Sequence, residues 1–319
     1  MDIDSLVCRI NTLYDFSEIE YKNAFPGTVW HYTDNNGIKG IIRENSIVFW
    51  LTRSDCLADH TEGAVLEEVL QKAIEDMKHK YSFEPGFSRI IDGLHVPTDR
   101  SLFYRKNDGN VWHSTEPCDT YIACFCLSEN SQEMWTEYTN EREGYSLEFD
   151  RNLFSEIFNF VNVQQGRGYV DLHLQRVLYD EDEQVQYLIK KIKQAYDVFS
   201  VACQSDSFLV ADDFIAKSLQ SILNQLRFSC KHKRYSFENE VRAVVYLPRD
   251  RGSLIINNPE IKNVGSKVVA ELTLGRKNWL REISISPYVK TPDLAERTRE
   301  WIQEMGYNIE VRKAKQYEA

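Results

Sequence analysis

The chain has 319 residues, 42% of them hydrophobic, and a formal net charge of −11 at pH 7. This length is enough to bury a large core, and the acidity repels phosphate backbones, which argues against broad non-specific binding to nucleic acid. No apolar run is long enough for a signal peptide or a membrane span, which predicts a cytoplasmic protein.

The first predicted elements lie between residues 29 and 81. Apolar and polar positions alternate in VWHYT, residues 29–33, which is the period of a strand, and Asp34 then offers an N-cap for a short helix. SIVFWLTR, residues 46–53, predicts the next strand, and a helical stripe predicts a helix over 61–81. The following segment, which contains EPGFSRIIDG and KNDGN, has turn signals and predicts a long loop with a hairpin.

The remaining elements occur in mixed order. Strands are predicted at YIACFCLSE (121–129), GYSLEFD (144–150), SFENEVRAVVYL (236–247), KVVAELTL (267–274), EISIS (282–286) and NIEVR (308–312). Helices are predicted at 131–139, at 182–201, at 212–228, and between Thr291 and Gly306. This order predicts an α+β fold in a single domain, 1–319, with a mostly helical insert at about 151–235.

Sequence motifs of the common cofactor and metal sites are absent. The chain has no GxGxxG, GxxxxGK[ST], HExxH or CxxC pattern, so we expect no bound metal. The segment LTRSDCLADHTEG gathers Asp55, Asp59 and Glu62, which a metal-dependent nuclease or phosphoesterase would use. Asp59 is more simply interpreted as a cap for the helix that follows.

Three charged side chains lie close together in the predicted strand 236–247. Glu238, Glu240 and Arg242 would share one face of that strand, with consecutive positions about 7 Å apart. The strand is otherwise apolar on both faces, so these charges require partners or a polar cleft. Two interpretations stay open, because Glu240 is either paired with Arg242 or a nearby lysine, or is a catalytic carboxylate facing a ligand.

Other polar and aromatic residues have a structural and a functional interpretation. His31 is either a hydrogen-bonded core residue or a ligand contact, and the structural interpretation is favoured when it is taken alone. Trp135 and Tyr138, three residues apart on a helix, predict a packed pair, with a stacking surface for a base as the alternative. The basic run CKHKR, residues 230–234, is interpreted as a solvated loop.

The order of these motifs resembles a bacterial family known as domain of unknown function 2971. The segments HYT, SIVFW, DCLADHTEG, CFCLSENSQEMWTEYTNEREGYSLEFD and YSFENEVRAVVYL carry this resemblance between about residues 28 and 310. HYT and ENEV, residues 238–241, also resemble the first and last motifs of ADP-ribosyltransferase-like folds. The resemblance implies an ADP-ribosyltransferase-like mixed sheet and transfer of ADP-ribose from NAD to a protein or nucleic acid, as in a toxin or phage-defence effector.

The resemblance also implies roles for individual residues. Glu240 would stabilise the oxocarbenium-like transition state, and Glu238 would orient the acceptor, while His31 would contact NAD from the same cleft. The family's middle motif has no secure match. The residues expected to contact NAD are His31, Tyr32, Thr33, Thr52, Ser128, Tyr138 and Arg242. A non-catalytic nucleotide-sensing or interaction module is the alternative.

Overall fold

A computed structural model of the protein describes residues 3–19, 27–57, 64–96, 118–129, 131–139, 144–153, 171–204, 208–248, 260–275 and 279–315. Within these ranges the α-helices are α1 (Ile3–Leu13), α2 (Asn35–Ile41), α3 (Ala64–Lys80), α4 (Pro85–Asp92), α5 (Gln132–Thr139), α6 (Glu181–Cys203), α7 (Phe208–Leu226) and α8 (Leu294–Glu304). Short 3-10 helices lie at Ser54–Cys56 and Lys233–Glu238.

The strands described by the structure belong to one mixed sheet of eleven strands. They are β1 (Thr28–Asp34), β2 (Ile42–Arg43), β3 (Ser46–Arg53), β4 (Cys118–Cys126), β5 (Gly144–Asp150), β6 (Asp171–Arg176), β7 (Glu240–Pro248), β8 (Glu260–Val264), β9 (Lys267–Gly275), β10 (Leu280–Ile285) and β11 (Glu310–Lys313). The main order is β11-β10-β5-β1-β4-β3-β9-β8, with β2 beside β3, β7 beside β4 and β6 beside β7. The pair β10–β11 is parallel, and the other pairs are antiparallel.

The sheet branches at β4. Strand β4 pairs with β7 from Cys118 to Cys126. On its other edge it pairs with β1 at Cys126 and with β3 at Tyr121 and Ile122. Strands β1 and β3 therefore separate from each other around Cys124. This branch positions the candidate site described below.

Side chains on one face of the sheet form the main hydrophobic core. The sheet curls so strongly that the rings of Phe49 on β3 and Phe149 on β5 lie 5.3 Å apart, although β1 and β4 lie between these strands. Phe125 on β4 packs edge-on against Phe49 at 5.5 Å. Helices α2 and α8 cover this core with buried side chains that include Ile38 and Ile302. Burial of these aromatic and branched side chains is the main stabilising term for this half of the protein.

The helices α1, α3, α4, α6 and α7 form a second core of their own. Its members come from three stretches of the chain, which are residues 6–19, 66–96 and 178–230. The helical insert predicted at about 151–235 includes α6 and α7, but it also includes strand β6, and three of the packed helices precede it. The helical part is thus assembled from separate segments and not from one insertion.

Several predicted elements agree with the structure and others do not. The coarse prediction of a mixed α and β fold is confirmed, and β3 and β5 have the predicted bounds. The loop predicted around EPGFSRIIDG is wrong in part, because Pro85 at the first position starts helix α4. Strands β6 and β8 were not predicted. In the described part of the chain, no helix is both long enough and apolar enough to cross a membrane.

Candidate functional site

Four charged side chains form a buried cluster on the face of the sheet opposite the main core. Lys231, Glu238, Glu240 and Arg242 are exposed by 6%, 3%, 4% and 2% respectively. We refer to these four residues as the charge cluster. Charges buried this deeply require partners, and their formal charges cancel within the cluster.

The two glutamates of the charge cluster do not lie on one strand. Glu238 is the last residue of the 3-10 helix Lys233–Glu238, and Asn239 follows in the left-handed region with φ 42° and ψ 56°. Asparagine tolerates this conformation better than most residues. Strand β7 then begins at Glu240. The prediction that Glu238, Glu240 and Arg242 share a strand face is therefore wrong for Glu238, which reaches the cluster from a turn.

Lys231 and Arg242 bridge the carboxylates. The Nζ atom of Lys231 is 2.5 Å from Oε2 of Glu238 and 3.6 Å from Oε2 of Glu240. Arg242 donates from Nη2 to Oε2 of Glu240 at 2.7 Å and from Nε to the same oxygen at 3.1 Å. Its Nη1 atom donates to the carbonyl oxygen of Phe228 at 3.3 Å. Each carboxylate thus has a cationic partner, and Lys231 joins the two.

Two tyrosines complete the polar contacts. The hydroxyl of Tyr138 on α5 donates to Oε1 of Glu238 at 2.9 Å, while 43% of the Tyr138 residue stays exposed. The hydroxyl oxygen of Tyr179 accepts a hydrogen bond of 3.0 Å from the backbone N–H of Glu240. Tyr138 therefore lies between Glu238 and solvent, and Tyr179 fixes the first residue of β7.

The two glutamates have opposite pKa shifts. Burial, and then the negative charge of Glu240, raise the pKa of Glu238 above its usual range, although Lys231 and Tyr138 oppose this. Burial also acts to raise the pKa of Glu240, but the charges of Arg242 and Lys231 outweigh it and the pKa is lowered. Neighbouring carboxylates with pKa values pushed apart are a common arrangement in acid and base catalysis. Structural ion pairs produce similar shifts.

An open pocket of about 460 Å³ borders the charge cluster. Tyr179 and Lys231, which contact the two glutamates, form part of its wall. The N-terminal turn of α6, the start of α3, and the residues His232 and Lys233 form the rest. Its acidic side chains are those of Glu68, Asp180, Glu181 and Asp182. A small molecule in this pocket would reach Lys231 and Tyr179 before either carboxylate.

His31 does not join this site. Trp30 pairs with Cys126, which pairs with Glu240, so these three side chains share one face of the sheet. His31 follows Trp30 and points to the opposite face, where its ring lies 5.8 Å from the ring of Phe125. Its Nδ1 atom is 3.0 Å from the carbonyl oxygen of Cys124, and burial lowers the pKa of His31. The predicted shared cleft of His31 and Glu240 is not present, and His31 is a partly buried residue on the face of the main core.

The other predicted NAD contacts are dispersed. Tyr32 is buried and packs edge-on against Trp135, with ring centroids 4.9 Å apart. Tyr138, the residue predicted to pack against Trp135, instead forms a hydrogen bond with Glu238. Thr33 shares the core face with His31, and its hydroxyl packs against Gly37. Thr52 pairs with Ile122 on the face that carries Arg242, and Ser128 follows β4 in a bend. The structure therefore brings together Glu238, Glu240, Arg242 and Tyr138.

Sequence reasoning missed Lys231 and Tyr179. The run CKHKR was interpreted as a solvated loop, which fits the exposed residues 232–234 but is wrong for Lys231. Carboxylates on a buried strand require a cation, and the isolated bridge between Leu178 and Cys230 places Lys231 beside β7. That pairing between distant segments left no signal in the sequence.

Of the three acidic residues in the predicted metal alternative, the structure describes only Asp55. Asp55 lies at the surface and pairs with Arg53 at 2.7 Å, while Asp59 and Glu62 lie outside the described residues. Within the described ranges, no three metal-ligating side chains are grouped to hold an ion.

Comparison with known proteins gives one match, which is to a family model and covers part of the chain. The model of a family described as protein of unknown function (DUF2971) matches residues 134–243. This stretch includes most of α5, all of β5 and the entire charge cluster, and it confirms the family resemblance inferred from the sequence. No curated protein and no solved structure gives a significant match.

Proposed function

We propose, for a chain whose residues 134–243 match this family of unknown function, that the protein cleaves the bond between nicotinamide and ribose in NAD and transfers ADP-ribose to a macromolecular acceptor. The observation that carries the proposal is the pair Glu238 and Glu240, which share Lys231 and have opposite pKa shifts. The acceptor is a protein or a nucleic acid.

Each residue of the charge cluster has a defined task in this proposal. Glu240, kept ionised by Arg242, stabilises the positive charge that grows on the ribose as the glycosidic bond breaks. Glu238, whose raised pKa suits proton transfer, removes the proton from the acceptor. Tyr138 is the more exposed partner in its hydrogen bond with Glu238. Movement of the Tyr138 side chain would therefore expose the Glu238 carboxylate to the acceptor.

Release of free nicotinamide from NAD is the decisive measurement. Glu240→Gln and Glu238→Gln should each lower the rate by about a hundredfold or more, which is typical for loss of a catalytic carboxylate. Glu296→Gln, a change of an exposed residue on α8, is the matched control and should leave the rate unchanged. Circular dichroism must show that each variant is folded.

His31→Ala distinguishes this site from the one predicted from sequence. Because His31 lies on the other face of the sheet, a folded His31→Ala protein should retain most of the activity. Nicotinamide release that persists in Glu240→Gln and Glu238→Gln but is lost in folded His31→Ala would contradict the assignment.

A second candidate is a non-catalytic interaction module. It is favoured by the burial of both glutamates, which are 3% and 4% exposed and are each paired with a cation. In that case the charge cluster holds the segment 228–238 against β7 and carries out no chemistry. An absence of nicotinamide release with protein and nucleic acid acceptors alike would favour this candidate.

A further inference from the structure

Two glutamates face each other on neighbouring strands at some distance from the charge cluster. Glu148 on β5 and Glu282 on β10 are register partners, so their side chains leave the same face of the sheet about 5 Å apart. Like charges in this position destabilise a sheet. Burial and then the charges of Glu282 and Glu129 raise the pKa of Glu148.

Compensation by cations at this position is incomplete. Arg312 on β11 donates from Nε to Glu282 at 2.5 Å and also pairs with Glu129. The hydroxyl of Ser284 donates to Glu282 at 3.0 Å. In the described part of the chain, the carboxylate of Glu148 has no hydrogen bond or ion pair. One arginine thus pairs with two of the three glutamates. Within the described residues no cation pairs with Glu148, although the charges of Arg281 and Arg312 act from further away to lower its pKa.

A buried hydroxyl points to a ligand at the same place. Ser146 is 1% exposed, and its Oγ atom has no hydrogen-bond partner among the residues that the structure describes. Ser146 lies two residues before Glu148 on the same face of β5, directly opposite Ser284. Side chains at these four positions form a rectangle of about 5 Å by 7 Å, with the two serines at one end and the two glutamates at the other. Buried hydroxyls without partners are rare in proteins.

We propose that this rectangle, Ser146, Glu148, Glu282 and Ser284, binds a primary ammonium group. An ammonium has three N–H donors, and the rectangle offers the carboxylates of Glu148 and Glu282 and the oxygen of Ser146 as three acceptors on three sides. The added positive charge offsets the repulsion between the glutamates. The same event satisfies the hydroxyl of Ser146.

The chemistry of this site favours an organic ammonium over other ligands. Bound divalent metals take several oxygen ligands at close range, and the described residues contain no group of three ligating side chains arranged for an ion. Anions such as the pyrophosphate of NAD are repelled by the two glutamates. The site is therefore separate from the NAD reaction proposed above, and the two proposals fail independently.

Nuclear magnetic resonance titration of the whole protein tests the site with butylammonium as the probe. The side-chain carboxyl signals of Glu148 and Glu282 should shift in a saturable manner. Tetramethylammonium, which has the same charge and no N–H donor, should cause no saturable shift. Glu148→Gln should weaken butylammonium binding at least about tenfold, the effect of losing a charge-assisted hydrogen bond, and Ser146→Ala should weaken it to a smaller extent.

Glu44→Gln is the matched control, because Glu44 is an exposed glutamate in the turn between β2 and β3. It should bind butylammonium as the wild type does. The proposal is overturned by the absence of saturable shifts, by equal binding of tetramethylammonium, or by unchanged affinity in folded Glu148→Gln. Saturation by Mg²⁺ in place of butylammonium would also overturn it and would indicate a metal site.

Discussion

The Nδ1 atom of His31 lies 3.0 Å from the carbonyl oxygen of Cys124, at the point where the sheet branches. Strand β4 pairs with β1 at Cys126 and with β3 at Ile122, so the carbonyl of Cys124 lies between its two neighbours. A neutral imidazole protonated on Nδ1 donates to this oxygen. His31 thus supplies the hydrogen-bond donor that a neighbouring strand would otherwise provide to the carbonyl of Cys124. This role explains why a histidine lies among the rings of Phe49 and Phe125.

This contact predicts that acid destabilises the protein through His31. Burial lowers the pKa of His31 in the folded state. As the pH falls below about 6.5, the unfolded-state pKa, the unfolded chain therefore binds more protons at this residue than the folded protein does. The contribution of His31 is therefore fully present above pH 6.5 and is lost as the pH falls through the lowered pKa. Urea unfolding at a series of pH values measures this loss directly.

Two variants are needed to assign the effect. His31→Phe removes the titrating group and leaves the carbonyl of Cys124 without its donor, so it should lower the free energy of unfolding at pH 8 by about 1–3 kcal/mol and flatten the dependence between pH 6.5 and 5. His79→Phe on the exposed end of α3 should retain the wild-type profile. A wild-type slope that persists in His31→Phe would contradict the assignment.

The charge cluster predicts strong coupling between Glu240 and Arg242. Glu240→Leu alone should lower the free energy of unfolding by about 3–5 kcal/mol, because it leaves a buried guanidinium without its carboxylate. Arg242→Met alone should cost a similar amount. The double variant should be more stable than the sum of the two losses, with a coupling of about 1 kcal/mol or more in a double-mutant cycle. Additive losses would mean that the pair is not energetically coupled.

Local periodicity was sufficient to predict most of the helices and strands. Strand β3 was predicted with correct bounds because its alternating apolar residues pack on the main core, and helix α2 because Asp34 caps it by accepting from Asn36 and Gly37. Helix α4 was missed because Gly86 in its first turn is a weak helix former, although it packs against Phe199. Edge strand β8 was missed because none of its residues is fully buried.

The candidate site was less predictable for a different reason. Glu240 and Arg242 are two residues apart on a strand, so their shared face follows from the period of two. Lys231 reaches them only because the chain turns at Asn239 and because Leu178 pairs with Cys230. The face on which His31 lies depends on its pairing register with β5 and β4. Register between distant strands is a property of the whole sheet and is not encoded in the motif HYT alone.

The close approach of α5 to β5 predicts that Gly144 cannot be replaced. A Cβ atom at Gly144 would lie 2.0 Å from Cβ of Thr139, which is buried at the end of α5. Gly144→Ala should therefore force the helix away from the strand and lower the free energy of unfolding by about 1–3 kcal/mol, as is typical of overpacking. Gly275→Ala at the end of β9 is the control, because no atom lies within 4 Å of the added Cβ.

Since α5 also carries Tyr138, the Gly144→Ala variant has a second expected effect. Displacement of α5 should lengthen the hydrogen bond between Tyr138 and Glu238, which is 2.9 Å in the native structure. Tyrosine ring signals of Tyr138 should then shift in a nuclear magnetic resonance spectrum, while Gly275→Ala should leave them in place. Wild-type stability and spectra in Gly144→Ala would show that α5 tolerates the added methyl group.

Lys191 predicts how the N-terminal helix is held. This residue of α6 is 2% exposed, and its Nζ atom donates to the carbonyl oxygens of Leu13, at 3.0 Å, and of Asp15. It also lies 4.9 Å from the centre of the Phe16 ring. The ammonium therefore satisfies carbonyls just after the end of α1, where a cation is favourable.

Replacing Lys191 by methionine keeps an unbranched side chain that is one atom shorter and removes the ammonium with its three donors. The carbonyls of Leu13 and Asp15 then lose a charged donor, so the free energy of unfolding should fall by about 1–3 kcal/mol. Amide hydrogen exchange should become faster in α1 before it changes in α6, because α1 loses its attachment. Lys193→Met, at an exposed position on the same helix, should leave both measurements unchanged. Equal exchange in α1 for the two variants would show that apolar packing alone holds this helix.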